Sequence, residues 1–528
     1  MPNLAVRRLV TAAVLGASLT AGRDAAGQRA PSFTTPMLSA DHWAVRAARR
    51  AAMLGLAPER FGWGDGSITQ ASAGWAILAA ADSAARADLP LRNILQSEWQ
   101  RFAHEFPGVA ARLGDGDQRG QRRAAEFLTR KGITSSVEAS VVTADNRLLP
   151  VRSLDRTREN FAPPTPIGSL GDADLRLQLG AQLGRYAAAE IGAGRTDEDW
   201  GVRDWQLVAG AKSLGVWAGE RAPDFGPGVG GGLVFDGQAS FTGGGFSVTH
   251  PVRLPWLLRY LGYARGEMFL SRVDSNAATR HPWVFASHLS IAPHPRLLLG
   301  ATQAFMFSGE GLPPFTWRNF KEMFLTHGIK VAGSEFENGI ASLEAQWRPP
   351  LPRIPAVVYV EWGADDNHSA LFRFPAVVTG LSILSLPNAP AVSVGLERTS
   401  FAKPCSGCGG CACEYYATWY RHYVFMDGWT VDRQPIGHPL GGDGTEWLLY
   451  GRFDDARRRL RVDARGFVRD RGRFNLYSPT REGESVGGVV GGEYRLTRTI
   501  ELHVDAMAER GRGDWSTSSF GAGVRWVP

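Results

Sequence analysis

Apolar and polar residues alternate over most of the C-terminal three quarters of this chain. The alternation is clearest at residues 175–183, 500–506 and 520–526, where every second residue is apolar and the others are charged, polar or glycine. A period of two is that of a β-strand whose two faces meet different surroundings. Repeated strands with one charged face are typical of a transmembrane β-barrel. A soluble β-sandwich also alternates, and the period alone does not say which face is outside.

The length of the alternating part predicts the size of the barrel. Residues 134–528 follow the last predicted helix. A strand with its share of turn and loop takes on the order of 20 residues in large barrels, which predicts roughly 16 to 20 strands and an even number. We therefore expect a mainly β protein, with a transmembrane antiparallel β-barrel of about 18 strands.

The first 27 residues have the pattern of a secretory signal peptide. Arg7 and Arg8 precede the short apolar run 9–21, and small residues follow at 25–27. The run is shorter than the roughly 20 apolar residues that a spanning helix needs. The alternative is a buried helix at the start of a cytosolic domain. We predict a signal peptide at residues 1–27, and hence export.

Residues 31–133 have helical periodicity and are predicted to form a small α-helical bundle. Asp41 is placed to cap a first helix, and residues 71–87 form a second, alanine-rich segment. A third helix is expected after Pro90, and a fourth over residues 119–131. Apolar residues recur at helical spacing in the first three. We find no catalytic constellation in this part of the chain.

Composition and motifs narrow the function. The chain has 63 glycines and 17 tryptophans, which suit hairpin turns and the aromatic girdles of a membrane barrel. The net charge is +6 with basic and acidic residues interspersed, so nucleic acid is not an expected partner. The glycines of 226–232 match G-x-G-x-x-G without the strand–helix context of a nucleotide site, and we expect a glycine-lined barrel turn or bend there. Common hydrolase, metalloprotease and P-loop motifs are absent.

All four cysteines lie close together in a loop rich in glycine, at Cys405, Cys408, Cys411 and Cys413. An exported chain enters an oxidising compartment, which favours local disulfides. A zinc site and a redox pair are the alternatives that the spacing leaves open. The acidic segment 363–369 lacks the spacing of an EF-hand, and we predict no metal there and no cofactor.

The segment 415–447 combines aromatic, histidine, arginine and acidic residues. Sugars offer flat apolar faces edged with hydroxyl groups, and aromatic platforms beside polar side chains suit them. The candidate carbohydrate-binding residues are Trp419, Tyr420, Arg421, His422, Trp429, Arg433, His438 and Asp443. An aromatic girdle near a loop is an equally open interpretation of the aromatic residues. His422, His438 and Asp443 with Glu446 are also compatible with a catalytic set, or with lumen-facing groups that bond one another across strands.

Several segments resemble, in order, the capsule assembly Wzi family. They are GVWAGERAPDFGPGVGGGLVFDG, LLLGATQAFMFSGEGLPPFTWRNF, VVYVEWGADDNHS, and ERTSF followed by WYRHYVFMDGWTVDRQPIGHPLGGDG. The resemblance implies an outer-membrane barrel with its helical bundle on the periplasmic side. It also implies a lectin-like role without catalysis. The cysteine loop departs from the family pattern.

The resemblance predicts extracellular or capsular polysaccharide and outer-membrane lipid as partners, with the capsule export machinery as a further candidate. A porin-like or polysaccharide-transporting channel is the alternative function, and an outer-membrane hydrolase is a third. An open lumen would distinguish the channel, because an open pore conducts ions whereas a plugged barrel does not.

Overall fold

A computed structural model describes most of the chain from residue 31 to its end. The described residues are 31, 33–39, 42–57, 68–87, 89–114, 133–145, 172–195, 200–211, 213–237, 239–273, 281–312, 316–318, 330–331, 334–335, 337–351, 354–365, 375–401, 419–422, 424–425, 427–431, 434–455, 459–478, 480–513 and 515–528. The predicted signal peptide lies outside them, as do the four cysteines, Arg433 and the predicted helix at 119–131.

The described N-terminal part is helical. Its helices are α1 (Trp43–Met53), α2 (Gln70–Arg86), α3 (Arg92–Glu105) and α4 (Pro107–Gly114). They pack together through alanine-rich faces and the buried rings of Trp43, Trp75 and Phe102. A two-residue pairing of Met37–Leu38 with Ile68–Thr69 joins the segments that lead into α1 and α2. We call α1 to α4 the helical module.

The helices of the module can be compared with those predicted from the sequence. The second and third predicted helices are present as α2 and α3. Asp41 lies outside the described residues, and the side chain of His42 caps α1 by accepting a hydrogen bond from the Ala44 amide. Directly after α3, Pro107 begins a further helix, α4, which was not predicted. Proline is suited to the first turn of a helix because its missing N–H has no intrahelical partner there.

Among the described residues, eighteen long strands form a single closed sheet. They are β1 (Ile133–Asp145), β2 (Asp172–Leu183), β3 (Ala187–Arg195), β4 (Trp200–Ala211), β5 (Leu214–Arg221), β6 (Phe241–Val248), β7 (Tyr263–Arg272), β8 (Trp283–His294), β9 (Leu297–Phe307), β10 (Glu337–Trp347), β11 (Ala356–Asp365), β12 (Ala376–Ile383), β13 (Val392–Ser400), β14 (Gly444–Asp455), β15 (Leu460–Arg471), β16 (Gly483–Arg495), β17 (Ile500–Gly511) and β18 (Ser516–Trp526).

Each strand pairs antiparallel with its neighbours in sequence, and the first strand pairs with the last. Ser518 lies opposite Asp145 and Trp526 opposite Val137 in the closing pair β18–β1. Closure leaves the sheet without an edge, so its backbone groups are paired with one another rather than with water. The predicted fold class and strand number are confirmed.

The structure also decides which face of each strand is outside. In β14, Trp447 and Leu449 are exposed, whereas Glu446 and Leu448 are buried in the lumen. In β17 the apolar positions face outward and Glu509 is buried. An apolar outer surface with a polar lumen is that of a membrane-spanning barrel and the reverse of a soluble sandwich. No described helix is long and apolar enough to span a membrane.

Ion pairs join the helical module to one end of the barrel. Arg50 contacts Glu98 of α3 at 2.7 Å and also bonds Asp454 at the end of β14. Arg46 contacts Glu493 at the end of β16 at 2.6 Å. Asp454 and Glu493 lie near the last residues of β14 and β16, at one end of the barrel, which we call the helix end. The opposite side is the loop end.

Glu105 of α3 is a second attachment point at the helix end. Its carboxylate accepts hydrogen bonds from Trp43 Nε1 at 2.7 Å and from Arg525 of β18 at 2.6 Å. Burial by itself would raise the pKa of Glu105, but Arg525 and the hydrogen-bonded His42 outweigh it and hold this pKa well below its ordinary value. Glu105 is therefore a charged, fully partnered contact between module and wall.

Replacing Arg50 with alanine should loosen the helical module. The change removes one of the two arginines that pair with the buried Asp454 and Glu98 carboxylates, and Arg461 remains as their second cation. The cost should therefore lie below the roughly 3–5 kcal/mol of a fully broken buried pair. We expect faster proteolysis of residues 43–114 in the folded, detergent-solubilised barrel. The matched control is Arg512→Ala at an exposed pair with Glu484, where the loss should stay below about 1 kcal/mol. Equal proteolysis rates in the two variants would contradict the proposed attachment.

Candidate functional site

Two chain segments enter the barrel from the loop end and meet inside it. One is 222–240, between β5 and β6, and the other is the described part of 419–443, between β13 and β14. Their large side chains are buried against each other and against the wall, among them Leu233, Phe235 and Tyr420. We call these two segments together the plug.

Tyr420 connects the two segments of the plug. Its backbone N–H donates to Asp365 Oδ2 of β11 at 2.7 Å, and its hydroxyl donates to the Leu233 carbonyl at 2.5 Å. The same hydroxyl accepts from the His438 amide at 2.9 Å. Tyr420 has a positive φ of 67°, an uncommon conformation outside glycine, which these bonds on both sides hold in place.

Trp429 fills the centre of the plug. Its ring is fully buried, and Nε1 donates to the Val234 carbonyl at 3.1 Å. Its backbone N–H donates to the Tyr420 carbonyl at 2.7 Å. A buried indole with its N–H satisfied contributes both apolar burial and a directional contact. Trp429 therefore fixes the segment 419–443 against the segment 222–240.

The glycine-rich stretch 226–232 is explained by two carboxylates on the barrel wall. Glu397 of β13 accepts from the Val229 amide at 2.7 Å and from the Gly230 amide at 2.9 Å. Glu361 of β11 accepts from the Leu233 amide at 3.0 Å. A Cβ at Gly232 would lie 2.0 Å from the Phe225 carbonyl oxygen, so the backbone approaches too closely for a side chain there.

These glycines were predicted to form a barrel turn or bend, and they instead form part of the plug. In that position their backbone N–H groups point at wall carboxylates rather than at a bound phosphate. Tyr359 of β11 adds a side-chain donor to Glu397, from its hydroxyl to Oε2 at 2.7 Å. Charge-assisted bonds of this kind are about twice as strong as neutral ones.

Glu397, His438 and Glu446 form a buried cluster whose potential ligand atoms lie within 4.8 Å of one another. His438 Nδ1 accepts from the Leu440 amide at 3.1 Å, which leaves Nε2 to donate to Thr399 Oγ1 at 3.0 Å. Arg469 bonds Glu446, and Glu397 is taken by the glycine segment. A metal ion would have to displace these contacts, so the geometry favours a hydrogen-bonded connection between the plug and the barrel wall over a metal centre.

The two histidines of the plug are held in the neutral form. Burial lowers the pKa of His438 to about 4, although Glu446 nearby acts in the opposite direction. Burial also lowers the pKa of His422 to about 4, and its Nδ1 accepts from the Val424 amide at 3.1 Å. Each imidazole thus acts as a fixed hydrogen-bonding group at neutral pH.

Asp443 joins the plug to a third loop, 472–478. Its carboxylate accepts from the Phe474 amide at 3.1 Å. In the same loop, Asn475 donates through Nδ2 to the carbonyls of Leu440 and Gly442 at 2.9 and 3.0 Å. The side chains of Leu476 and Tyr477, in the same loop, are buried. The loop after β15 therefore packs down onto the plug at the loop end.

The structure brings the predicted carbohydrate-binding residues together, but in the interior. Those that are described and buried are Trp419, Tyr420, Arg421, His422, Trp429, His438 and Asp443. The polar atoms of Tyr420, His422, Trp429, His438 and Asp443 bond to backbone groups of the plug and of the neighbouring loop and to side chains of the barrel wall. Direct sugar contact by these residues and by Arg433 stays a prediction. Glu361, Glu397 and Asp365 were missed, although their position on the polar face of alternating strands was a usable signal.

A cavity of about 680 Å³ remains between the plug and the helical module. Arg46 and Arg50 line it from the module, residues 226–231 from the plug, and Tyr359 and Tyr450 from the wall. Charged and apolar groups line this cavity. Among the described residues, the plug and the helical module fill the barrel from its two ends, and the cavity lies between them.

Comparison with known proteins agrees with this architecture. The family model described as capsule assembly protein Wzi matches residues 137–512. The solved structure of Wzi from Escherichia coli, described as an outer-membrane, carbohydrate-binding β-barrel involved in group 1 capsule assembly, has a TM-score of 0.67. It is 16% identical, and the match covers 93% of this chain and 98% of that chain. At this identity the likeness concerns the fold alone.

Weaker matches are to other barrels. OpdL of Pseudomonas aeruginosa is 11% identical with a TM-score of 0.44, and the match covers 75% of this chain and 98% of that chain. OccAB4 of Acinetobacter baumannii is 9% identical with a TM-score of 0.44, over 75% of this chain and 97% of that chain. No curated protein sequence gives a significant match to this chain.

Replacing Trp429 with alanine should destabilise the plug. Truncating a buried tryptophan typically costs about 3–5 kcal/mol, and here it also leaves the Val234 carbonyl without its donor. We expect a plug that opens in planar bilayers and gives measurable ion conductance. Trp317→Ala is the matched control, since Trp317 is 68% exposed at the loop end. A Trp429 variant as silent as the control would contradict the role of this side chain.

Acidification should loosen the plug in a window set by its histidines. The pKa of an exposed histidine is near 6.5, so such a histidine binds a proton when the pH falls below that value. In the folded plug the pKa of His422 and of His438 is about 4, so both stay neutral until the pH approaches 4. The loosened plug therefore binds more protons in this window, and its stability falls as pH drops from 6.5 to 4, by on the order of 3 kcal/mol per histidine at the lower limit.

Ion conductance measured against pH tests this effect. Conductance should stay low at pH 7 and rise as the pH approaches 4. His438→Gln keeps a hydrogen-bonding side chain without a titrating group, so its conductance should depend less steeply on pH. An unchanged pH profile in the variant would show that His438 does not contribute.

Proposed function

Because the chain belongs to the capsule assembly protein Wzi family, we propose that it is an outer-membrane barrel that binds extracellular polysaccharide and holds it at the cell surface. The family model spans most of the eighteen-strand barrel. The proposed role is binding without catalysis. The family description and the carbohydrate binding of the Escherichia coli relative support capsular polymer as the ligand class.

The filled lumen is the observation that carries this proposal. The helical module closes one end through Arg50 and Glu105, and the plug closes the other around Trp429. Among the described residues, the two elements occupy the two ends of the lumen, which supports polymer binding over conduction. The alternative of a porin-like or polysaccharide-transporting channel would require the plug to leave the lumen, with loss of the bonds to Glu361 and Glu397.

The closed loop end leaves its outer surface as the place for a polymer to bind. Described side chains there include Trp317, 68% exposed, and Phe474 with the Arg473 guanidinium 4.6 Å from its ring centroid. Aromatic faces beside guanidinium groups suit the apolar faces and hydroxyl edges of sugars. A repeating polymer can engage many copies of such weak sites, so avidity compensates for modest affinity at each.

We propose the following arrangement of the chain. Residues 1–27 serve as the signal peptide, 31–133 as a periplasmic α-helical bundle, and 134–528 as the barrel in the outer membrane. The helix end then faces the periplasm and the loop end faces the outside. The surrounding lipid and, on the periplasmic side, the export machinery of the polymer are the proposed partners besides the polysaccharide.

The proposal is tested by polysaccharide retention in cells that lack this protein. Retained polymer should fall in the deletion strain and return with the wild-type chain. The double variant Trp317→Ala with Phe474→Ala should restore less, since it removes aromatic faces at the loop end. The matched control is Trp347→Ala, at the opposite end of the barrel and 48% exposed, which should restore retention fully.

Two direct measurements complete the test. Purified wild-type protein should bind polysaccharide on a glycan array and remain non-conducting in planar bilayers at neutral pH. Unchanged retention in the deletion strain together with no glycan binding would overturn the proposal. Steady conductance by the wild-type protein would favour the channel instead.

A further inference from the structure

A short helical turn at the helix end exposes a dense group of apolar side chains. The segment Trp256–Leu261, between β6 and β7, is a 3-10 helix with no buried residue. Trp256 is 90% exposed, Leu257 82% and Tyr260 69%. Contiguous apolar exposure of this kind marks a surface that contacts something other than water.

The turn is held in place by its surroundings. Gly262 follows it with φ +75°, and a Cβ there would lie 1.8 Å from the Ala292 carbonyl oxygen of β8. Val252–Arg253 pairs with the first residues of β7, and Ser72 of α2 donates to the Thr249 carbonyl at 2.9 Å. The exposed side chains therefore project from a fixed support that is tied to both the barrel and the helical module.

The position of the turn continues the lipid-facing belt of the barrel. Outward apolar residues close to the helix end of neighbouring strands include Leu214 and Val216 of β5 and Phe246 of β6, each between 41% and 55% exposed. Leu214 lies opposite Val248, the last residue of β6 before the loop that carries the turn. Residues 254–258 of this loop are all apolar, so the turn adds an apolar group at the end of this belt.

The chemistry of the turn is that of a lipid headgroup boundary. Arg253 and Arg259 are exposed beside the apolar group, and residues 249–262 contain no acidic side chain. Arg259 Nη2 donates to the Tyr260 hydroxyl at 3.1 Å, which places a cation and a phenol together at the edge of the apolar surface. Tryptophan and tyrosine at an interface, with arginine toward phosphate, are characteristic of membrane boundaries.

We propose that Trp256–Leu261 is an interfacial anchor that inserts Trp256 and Leu257 into the phospholipid leaflet at the helix end of the barrel. Arg253 and Arg259 then lie at the depth of the lipid phosphates. Through Ser72 and Thr249, the anchor also sets the height of the helical module relative to the membrane. This inference depends on the barrel lying in a membrane and not on what the loop end binds.

Photo-crosslinking distinguishes lipid from a protein partner. The full chain carrying Leu257→p-benzoylphenylalanine is reconstituted in phosphatidylethanolamine and phosphatidylglycerol vesicles, irradiated and analysed by mass spectrometry. We expect phospholipid adducts at a yield comparable to that of the same probe at Leu449, a strand position 63% exposed on the lipid face. The probe at Trp317, exposed at the loop end, should give none.

Two controls test whether the variants fold and whether a protein, instead of lipid, contacts the turn. Each variant is first shown to retain the heat-dependent mobility of a folded barrel, and Tyr260→p-benzoylphenylalanine provides a second probe if the Leu257 variant does not fold. Lipid adducts at Leu449 without any at Leu257 or Tyr260 would overturn the proposal. Adducts to a second copy of this chain in vesicles would also overturn it. The same holds if irradiation in cells gives adducts to another protein and none to lipid.

Discussion

Closure of the sheet between β18 and β1 is the constraint from which the rest of the structure follows. In lipid, an unpaired backbone N–H or carbonyl costs several kcal/mol, so a sheet that crosses a membrane must have no edge. The pairing of Ser518 with Asp145 through Trp526 with Val137 removes it. Once the cylinder is closed, alternation puts every second residue toward lipid, and the remaining polar residues must find partners inside.

The helical module and the plug supply those partners. At the helix end, lumen-side carboxylates such as Asp454 and Glu493 meet arginines of α1. Toward the loop end, Glu361 and Glu397 meet backbone N–H groups of the glycine-rich segment. Buried charges are tolerated only when paired and hydrogen-bonded. The polar lumen and the two closing elements are therefore complementary in charge and in hydrogen bonding.

The sequence predicted what depends on period and missed what depends on contacts across the barrel. The period of two predicted the barrel, and the length of the alternating region predicted its number of strands, because both can be read from neighbouring residues along the chain. The period did not say that the apolar face is outward, since that depends on the solvent. The aromatic segment was recognised as polar and crowded, but Trp429 and Tyr420 lie inside because of bonds to Val234 and Leu233, nearly two hundred residues earlier. No local pattern encodes such pairings.

The two closures differ in chemistry, and this difference bears on the role of the loop end. The helix end is joined mainly by arginine–carboxylate pairs, whereas the plug is fixed by directional bonds to backbone groups and by close aromatic packing. Asn475 Nδ2 donates to the carbonyls of Leu440, Gly442 and Asp443, and the Gly472 and Leu476 amides add bonds to the carbonyls of Asp443 and Gly441. A surface supported in this way is ordered before any ligand arrives. Binding to it loses less conformational entropy than binding to a free loop, which favours weak, repeated contacts with a polymer.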